Sequence, residues 1–91
     1  MTKEDWILEL EKLGFVEIEE VEISAGVDTE EHTHDLHTAH VILEGQLIVQ
    51  DSNGETTYRQ GDFVEFPKGT THIAFGGDVV GKMLVGFKYS E

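Results

Sequence analysis

The first thirteen residues carry apolar side chains at helical spacing. Four of them recur at intervals of three or four residues and share one face of a helix: Trp6, Ile7, Leu10 and Leu13. Thr2 suits the N-cap position, Asp5 stands where a capping box needs an acceptor, and Gly14 is a typical stop signal. We predict a helix over residues 2–13 that packs on a sheet, with a partner-binding helix as the alternative.

From residue 15 onward the pattern becomes typical of β-strands. Short runs rich in β-branched and aromatic residues are separated by turn signals that contain glycine, aspartate, asparagine or proline. In the first run, Val16 and Ile18 have one phase and Val21 and Ile23 have the other, which predicts a bulge or a break. Evenly spaced short strands predict an antiparallel all-β sandwich or barrel over residues 15–89. The predicted strands are residues 15–23, 39–43, 47–50, 56–59, 63–66, 71–75 and 82–89.

Length and composition limit the number of domains. The 91 residues have room for one hydrophobic core, and a hydrophobic content of 38% is typical of a folded domain. We therefore expect residues 1–91 to form a single domain. Cysteine is absent, which excludes disulfides, thiolate metal sites and thiol catalysis.

The chain is strongly acidic, with a formal net charge of -13 at pH 7. Such a field repels nucleic-acid phosphates and anionic lipids, so we expect neither nucleic acid nor a membrane as a partner. The charge predicts a well-solvated surface, with an acidic patch for a basic partner as the alternative. The sequence shows neither an apolar run of about 20 residues nor a signal-peptide pattern, so the expected location is cytoplasmic.

Four of the five histidines are crowded into one short segment. His32 and His34 are two residues apart and share one side of an extended segment. His40 joins them only if the chain keeps its phase, whereas His37 points elsewhere and is expected in an exposed loop. Paired imidazoles bind divalent transition metals, and His72 is the one remaining histidine that a folded sheet can bring beside them. Taken alone, the pair also fits a simple exposed strand.

The spacing around these histidines resembles the two sequence motifs of the cupin superfamily. The first cupin motif is Gly, five residues, His-x-His, three or four residues, Glu, six residues and Gly, and its matches here are Gly26, His32, His34 and Gly45. The second is Gly, five residues, Pro-x-Gly, two residues, His, three residues and Asn, and its matches are Gly61, Pro67, Gly69 and His72. The resemblance covers just over half of the chain. It implies a double-stranded β-helix, the jelly-roll barrel of cupins, with one short N-terminal α-helix.

Two positions depart from the cupin motifs. Thr38 replaces the glutamate ligand, and Gly76 replaces the final asparagine. Carried over residue by residue, the resemblance implies a divalent transition metal (Fe, Mn, Ni or Zn) held by His32, His34 and His72. Three neutral imidazoles leave the charge of +2 on the ion uncompensated, which favours an anionic small-molecule ligand. A cupin whose site stays empty is the alternative.

Four residues are predicted to line a pocket at this site: Thr38, His40, Phe63 and Phe75. His40 is the candidate catalytic residue, as a proton carrier, and is also a candidate fourth metal ligand in place of water or substrate. Other apolar strand residues are expected to fill the barrel or the core between its sheets: Val41, Leu43, Leu47, Val49, Phe66, Leu84 and Phe87.

The expected function is metal-dependent chemistry on a small organic acid, as in a cupin-type dioxygenase or isomerase. The alternative is a non-catalytic module that binds a metal or a small molecule. Open sheet edges and a short helix are readily covered across a two-fold axis, and single-domain cupins commonly pair, so we expect a homodimer.

Overall fold

Helix α1 occupies Lys3–Lys12 in a computed structural model that describes residues 1–26 and 31–89. The predicted capping box is present: the Thr2 hydroxyl accepts a hydrogen bond from the Asp5 backbone N–H at 3.1 Å, and the Asp5 carboxylate accepts one from the Thr2 backbone N–H at 3.0 Å. Leu13 was expected on the buried face, but it lies past the last turn and is exposed. At ten residues α1 is too short to cross a bilayer, and no longer apolar helix is found in the described parts of the chain.

All seven predicted strands are present, and a two-residue strand, β2, is an addition. The predicted irregularity in β1 is a bulge, because the register with β8 shifts between Val16 and Glu19, and Glu17 adopts a positive φ of 54°. The strands are β1 Val16–Ile23, β2 His32–Thr33, β3 His37–Glu44, β4 Gln46–Asp51, β5 Gly54–Arg59, β6 Phe63–Phe66, β7 Thr71–Phe75 and β8 Gly81–Lys88.

Two four-stranded antiparallel sheets form the barrel, in the orders β1-β8-β3-β6 and β2-β7-β4-β5. Apart from the β4–β5 hairpin, neighbouring strands come from distant parts of the sequence, which is the arrangement of a jelly roll. The prediction of an all-β jelly-roll barrel with one short N-terminal helix is therefore confirmed. The same order brings β2 beside β7 and so joins the two segments that carry the sequence motifs.

The apolar side chains divide into two clusters, and β3 contributes to both. The helix-side cluster lies between α1 and the sheet: Leu10, Phe15, Ala39, Val41 and Leu84, with Trp6, Ile7 and Phe63 packed against it. The barrel cluster lies between the two sheets: Ile23, Ile42, Leu47, Val49 and Phe66. Successive residues of a strand point to opposite faces, so β3 is buried on both sides.

The position of Phe63 corrects an expectation. Phe63 was predicted to line the pocket, but it belongs to the helix-side cluster, where its ring stacks on that of Trp6 with centroids 6.1 Å apart. The cause is the register of β6 on β3, which sets Phe63 directly opposite Val41 and therefore on the same face of the sheet. Val41 and Leu84, expected in the barrel or in the core between its sheets, belong to the helix-side cluster instead.

Candidate metal centre

His32 and His72 lie directly opposite each other where β2 pairs with β7. The next pair in the register is Thr33 and Thr71, whose hydroxyl oxygens are 2.8 Å apart and hydrogen-bonded. Residues directly opposite on antiparallel strands present their side chains on the same face of the sheet. This short strand therefore brings together two imidazoles that are 40 positions apart in the sequence.

His34 is held by the turn that follows β6. The Pro67 carbonyl accepts a hydrogen bond from the Thr70 backbone N–H at 3.1 Å, and Gly69 has a φ of 91°, as the third residue of a type II turn requires. The His34 backbone N–H donates to the Thr70 carbonyl, and the His34 carbonyl accepts from the Gly69 N–H, each at 2.9 Å. The turn therefore fixes the backbone of His34 beyond the end of β2.

The ring nitrogens of three histidines converge on one point. His72 Nε2 lies 2.9 Å from His32 Nε2 and 2.9 Å from His34 Nε2. His72 is buried, His34 is half-buried and His32 is exposed, so the point lies between the core and the solvent. The structure thus brings together the three residues that the sequence singles out as metal ligands.

When the imidazoles are neutral and hold no ion, the contacts of His72 with His32 and with His34 cannot both be good hydrogen bonds. A neutral imidazole nitrogen either donates one proton or offers one lone pair. His72 Nε2 faces two neighbours, so only one contact can be a well-aligned hydrogen bond, whichever tautomer His72 adopts. A cation that accepts all three lone pairs removes the conflict, and imidazole is a common ligand of divalent transition metals.

Thr38 backs the histidine cluster and does not line the cavity beside it. Its hydroxyl oxygen lies 3.4 Å from His34 Nδ1 and 3.1 Å from His40 Nε2. His40 is buried, and its Nδ1 has no hydrogen-bond partner among the described residues. Thr38 therefore touches the nitrogen of His34 that is left free when Nε2 binds an ion.

Burial keeps three of these imidazoles neutral. Desolvation, reinforced by the neighbouring imidazoles, lowers the pKa of His40 to about 3 and the pKa of His72 to about 4. Desolvation and the nearby His32 also lower the pKa of His34. Neutral imidazole is the form that binds metals. Acid–base catalysis works best when the pKa lies near the working pH, so this environment does not support His40 as a proton carrier at pH 7.

A cavity of about 440 Å³ opens beside the histidines, and His32, His34, His40 and His72 form one end of it. Much of the remaining wall is apolar: Ile23, Leu47, Phe66, Ala74, Phe75 and Met83. Phe75 lies in the wall, where the sequence led us to expect it.

Phe66 is a site residue that the sequence reasoning assigned only to the core. Its ring is nearly parallel to that of His34, with an interplanar angle of 8° and centroids 5.3 Å apart. It also meets the ring of His72 edge-on, with centroids 4.4 Å apart. Phe66 therefore packs against two of the converging imidazoles and restricts their orientation.

His37 lies on the opposite face of β3 from His40, as expected from the alternation of side chains. The expectation of an exposed loop is wrong, because His37 begins β3 and is half-buried. Its Nε2 lies 2.9 Å from a carboxylate oxygen of Glu65, and its ring meets Phe15 edge-on with centroids 5.5 Å apart. His37 therefore stands apart from the converging nitrogens.

Comparison with known protein families identifies the chain. The sequence pattern of the cupin domain family matches residues 19–85, a stretch that contains both motifs. The chain belongs to the cupin domain family. A comparison with curated protein sequences finds no match. The family assignment agrees with the jelly-roll barrel and with the spacing of the histidines in this cupin.

Several solved structures share the fold of this cupin. A cupin-2 domain protein of Shewanella frigidimarina is 22% identical, with a TM-score of 0.65 over 75% of this chain and 65% of that one. The DMSP lyase DddQ of Ruegeria pomeroyi is 24% identical, with a TM-score of 0.68 over 78% of this chain and 36% of that one. An Fe(II) form of HppE in complex with substrate is 14% identical, with a TM-score of 0.67 over 78% of this chain and 44% of that one. The chain therefore spans about two thirds of the Shewanella protein and less than half of the other two.

Proposed function

We propose that this cupin binds a divalent transition metal through the Nε2 atoms of His32, His34 and His72. The observation that carries the proposal is the separation of 2.9 Å between His72 Nε2 and each of the other two nitrogens. One ion with metal–nitrogen bonds of about 2.0–2.1 Å could contact nitrogens at this spacing. The imidazole set suits Fe, Mn, Ni or Zn.

The ligand that suits such a site is a small anionic organic molecule. A bound divalent metal supplies Lewis acidity toward a ligand oxygen. Because the three imidazoles are neutral, they leave the site with a positive charge that attracts an anionic oxygen. Phe66 and Phe75 give the neighbouring cavity an apolar wall that displaces water from the ligand, and the Thr38 hydroxyl holds His34 from behind.

The proposed reaction class is metal-dependent chemistry on a small organic acid, as in a dioxygenase or an isomerase. The ligand-sized cavity supports this class, because a purely structural metal site is closed by protein ligands. The similar fold of HppE, solved with Fe(II) and with Co(II) in complex with substrate, is consistent with it. The low pKa of His40 favours a second candidate, a non-catalytic binding module, because it weakens the one acid–base group that the sequence suggests.

The metal content of untagged protein tests the proposal. After incubation with Fe, Mn, Ni or Zn and removal of free ions, elemental analysis should find about one metal per chain in the wild type. His34→Ala and His72→Ala should each lower metal affinity at least about ten-fold. His37→Ala is the matched control, because it removes an imidazole from the opposite face of the sheet.

Two results would contradict this proposal. A wild-type content below about 0.1 metal per chain rejects the metal centre. A loss of metal in His37→Ala as large as in His72→Ala rejects the assignment of the three ligands.

A further inference from the structure

The cavity beside the three histidines is lined by four neighbouring imidazoles. Much of the remaining wall is built from apolar side chains that include Leu47, Phe75 and Met83. Its volume of about 440 Å³ is enough for a small organic molecule. A ligand that reaches the metal therefore places the rest of its atoms against apolar groups.

Basic side chains are missing from the described part of this wall. None of its described lining residues is Lys or Arg. Imidazoles that bind a metal are neutral. The metal is therefore the single source of positive charge that these residues leave for a ligand.

We propose that the cavity selects a small monoanion, whose one carboxylate or enolate group binds at the metal and whose remaining atoms are apolar. This inference rests on the proposed metal centre. A second anionic group would lose its water against apolar side chains without gaining a cation. The net charge of -13 adds to the repulsion. Dicarboxylates and phosphorylated molecules are therefore rejected.

A matched pair of ligands tests the selection on the wild-type protein. Pentanoate and pentanedioate have the same chain length and differ by one carboxylate. Each is titrated by calorimetry into protein loaded with Ni(II) and freed of excess metal, with metal-free protein as the control. Pentanoate should bind at least about ten-fold more tightly than pentanedioate, and both should require the metal.

The outcomes separate this inference from the metal centre on which it rests. Loaded protein that binds pentanedioate as tightly as pentanoate, or that binds neither, overturns the inference and leaves the metal centre standing. Protein that takes up no metal overturns both.

Discussion

Thr38 is the residue where this cupin departs most consequentially from its family pattern. Its hydroxyl contacts His34 Nδ1 and His40 Nε2. If the lone pair of His34 Nε2 binds a metal, the ring proton is on Nδ1 and is donated to the Thr38 oxygen. The hydroxyl proton is then available to His40 Nε2, which leaves His40 with its own proton on Nδ1. One hydroxyl thus fixes the tautomers of two rings.

We expect Thr38→Val to weaken metal binding although it removes no ligand. The variant keeps the shape of the side chain but leaves His34 Nδ1 without its partner, so metal affinity should fall about 10–100-fold. Thr38→Ser keeps the hydroxyl and should restore most of the affinity. Competition with a chelator measures affinity, and the ¹⁵N chemical shifts of the His40 ring report its tautomer. Wild-type affinity in Thr38→Val would show that the hydroxyl does not position His34.

At the scale of elements, β3 joins two clusters that have different partners. Its residues Ala39 and Val41 pack under helix α1, whereas Ile42 packs in the barrel cluster with Phe66, which lines the cavity. The helix-side cluster lies on the opposite face of β3 from His40. The cluster that carries the helix can therefore lose stability without moving the imidazoles.

Leu10→Ala tests this separation. Leu10 has no exposed surface, so its truncation should lower the free energy of unfolding by about 2–5 kcal/mol in urea denaturation. Metal affinity at a temperature where the protein stays folded should remain within about two-fold of the wild type. Leu8→Ala, at an exposed position of the same helix, should change neither quantity. A matching loss of metal affinity in Leu10→Ala would show that the two clusters act as one.

Local patterns predict the elements of this fold better than they predict its faces. Alternation and turn signals place the strands, because both depend on neighbouring residues. The face of the sheet on which a residue lies depends on pairing with a distant strand. In β6 this pairing determines which of two phenylalanines lies at the histidine site. Phe63 and Phe66 are three residues apart and so point to opposite faces, but only the register with β3 shows that Phe66 is the one at the site.

The histidine cluster could be predicted for a different reason. The spacing of the histidines matches a known pair of sequence motifs. Those motifs indicate which distant strands pair, and the hydrophobic pattern of one sequence does not. Strand β2 escaped prediction because two residues are too short for a pattern, although its pairing aligns His32 with His72. The burial of His37 was missed because it depends on Phe15 and Glu65, which are distant in the sequence.

At the scale of the whole molecule, the two buried histidines make the stability of metal-free protein depend on pH. Both imidazoles have a pKa of 6.5 in the unfolded chain, but about 3 for His40 and about 4 for His72 in the folded chain. Below pH 6.5 these two imidazoles therefore bind protons in the unfolded state but stay neutral in the folded state. The free energy of unfolding is therefore highest above pH 6.5 and decreases as the pH falls, down to about pH 4 for the His72 contribution and about pH 3 for the His40 contribution.

We expect the free energy of unfolding to be about 3 kcal/mol lower at pH 5.5 than at pH 7.5, with similar contributions from the two imidazoles. Urea unfolding in the presence of a chelator measures it at both values. His40→Gln removes one of the two groups and should reduce the difference by about half. An equal free energy of unfolding at the two pH values would contradict the neutral, buried state of both rings.

The two-sided burial of β3 bears on how such a protein diverges. Residues of the helix-side cluster stabilise the fold without lining the cavity. Their contribution to stability therefore remains when residues of the cavity wall are substituted. Substitutions at Phe75, which lines the cavity and belongs to neither buried cluster, can change the ligand that binds while the helix-side cluster keeps the chain folded. Proteins that share this arrangement can therefore change the ligand that they bind while they keep the same barrel.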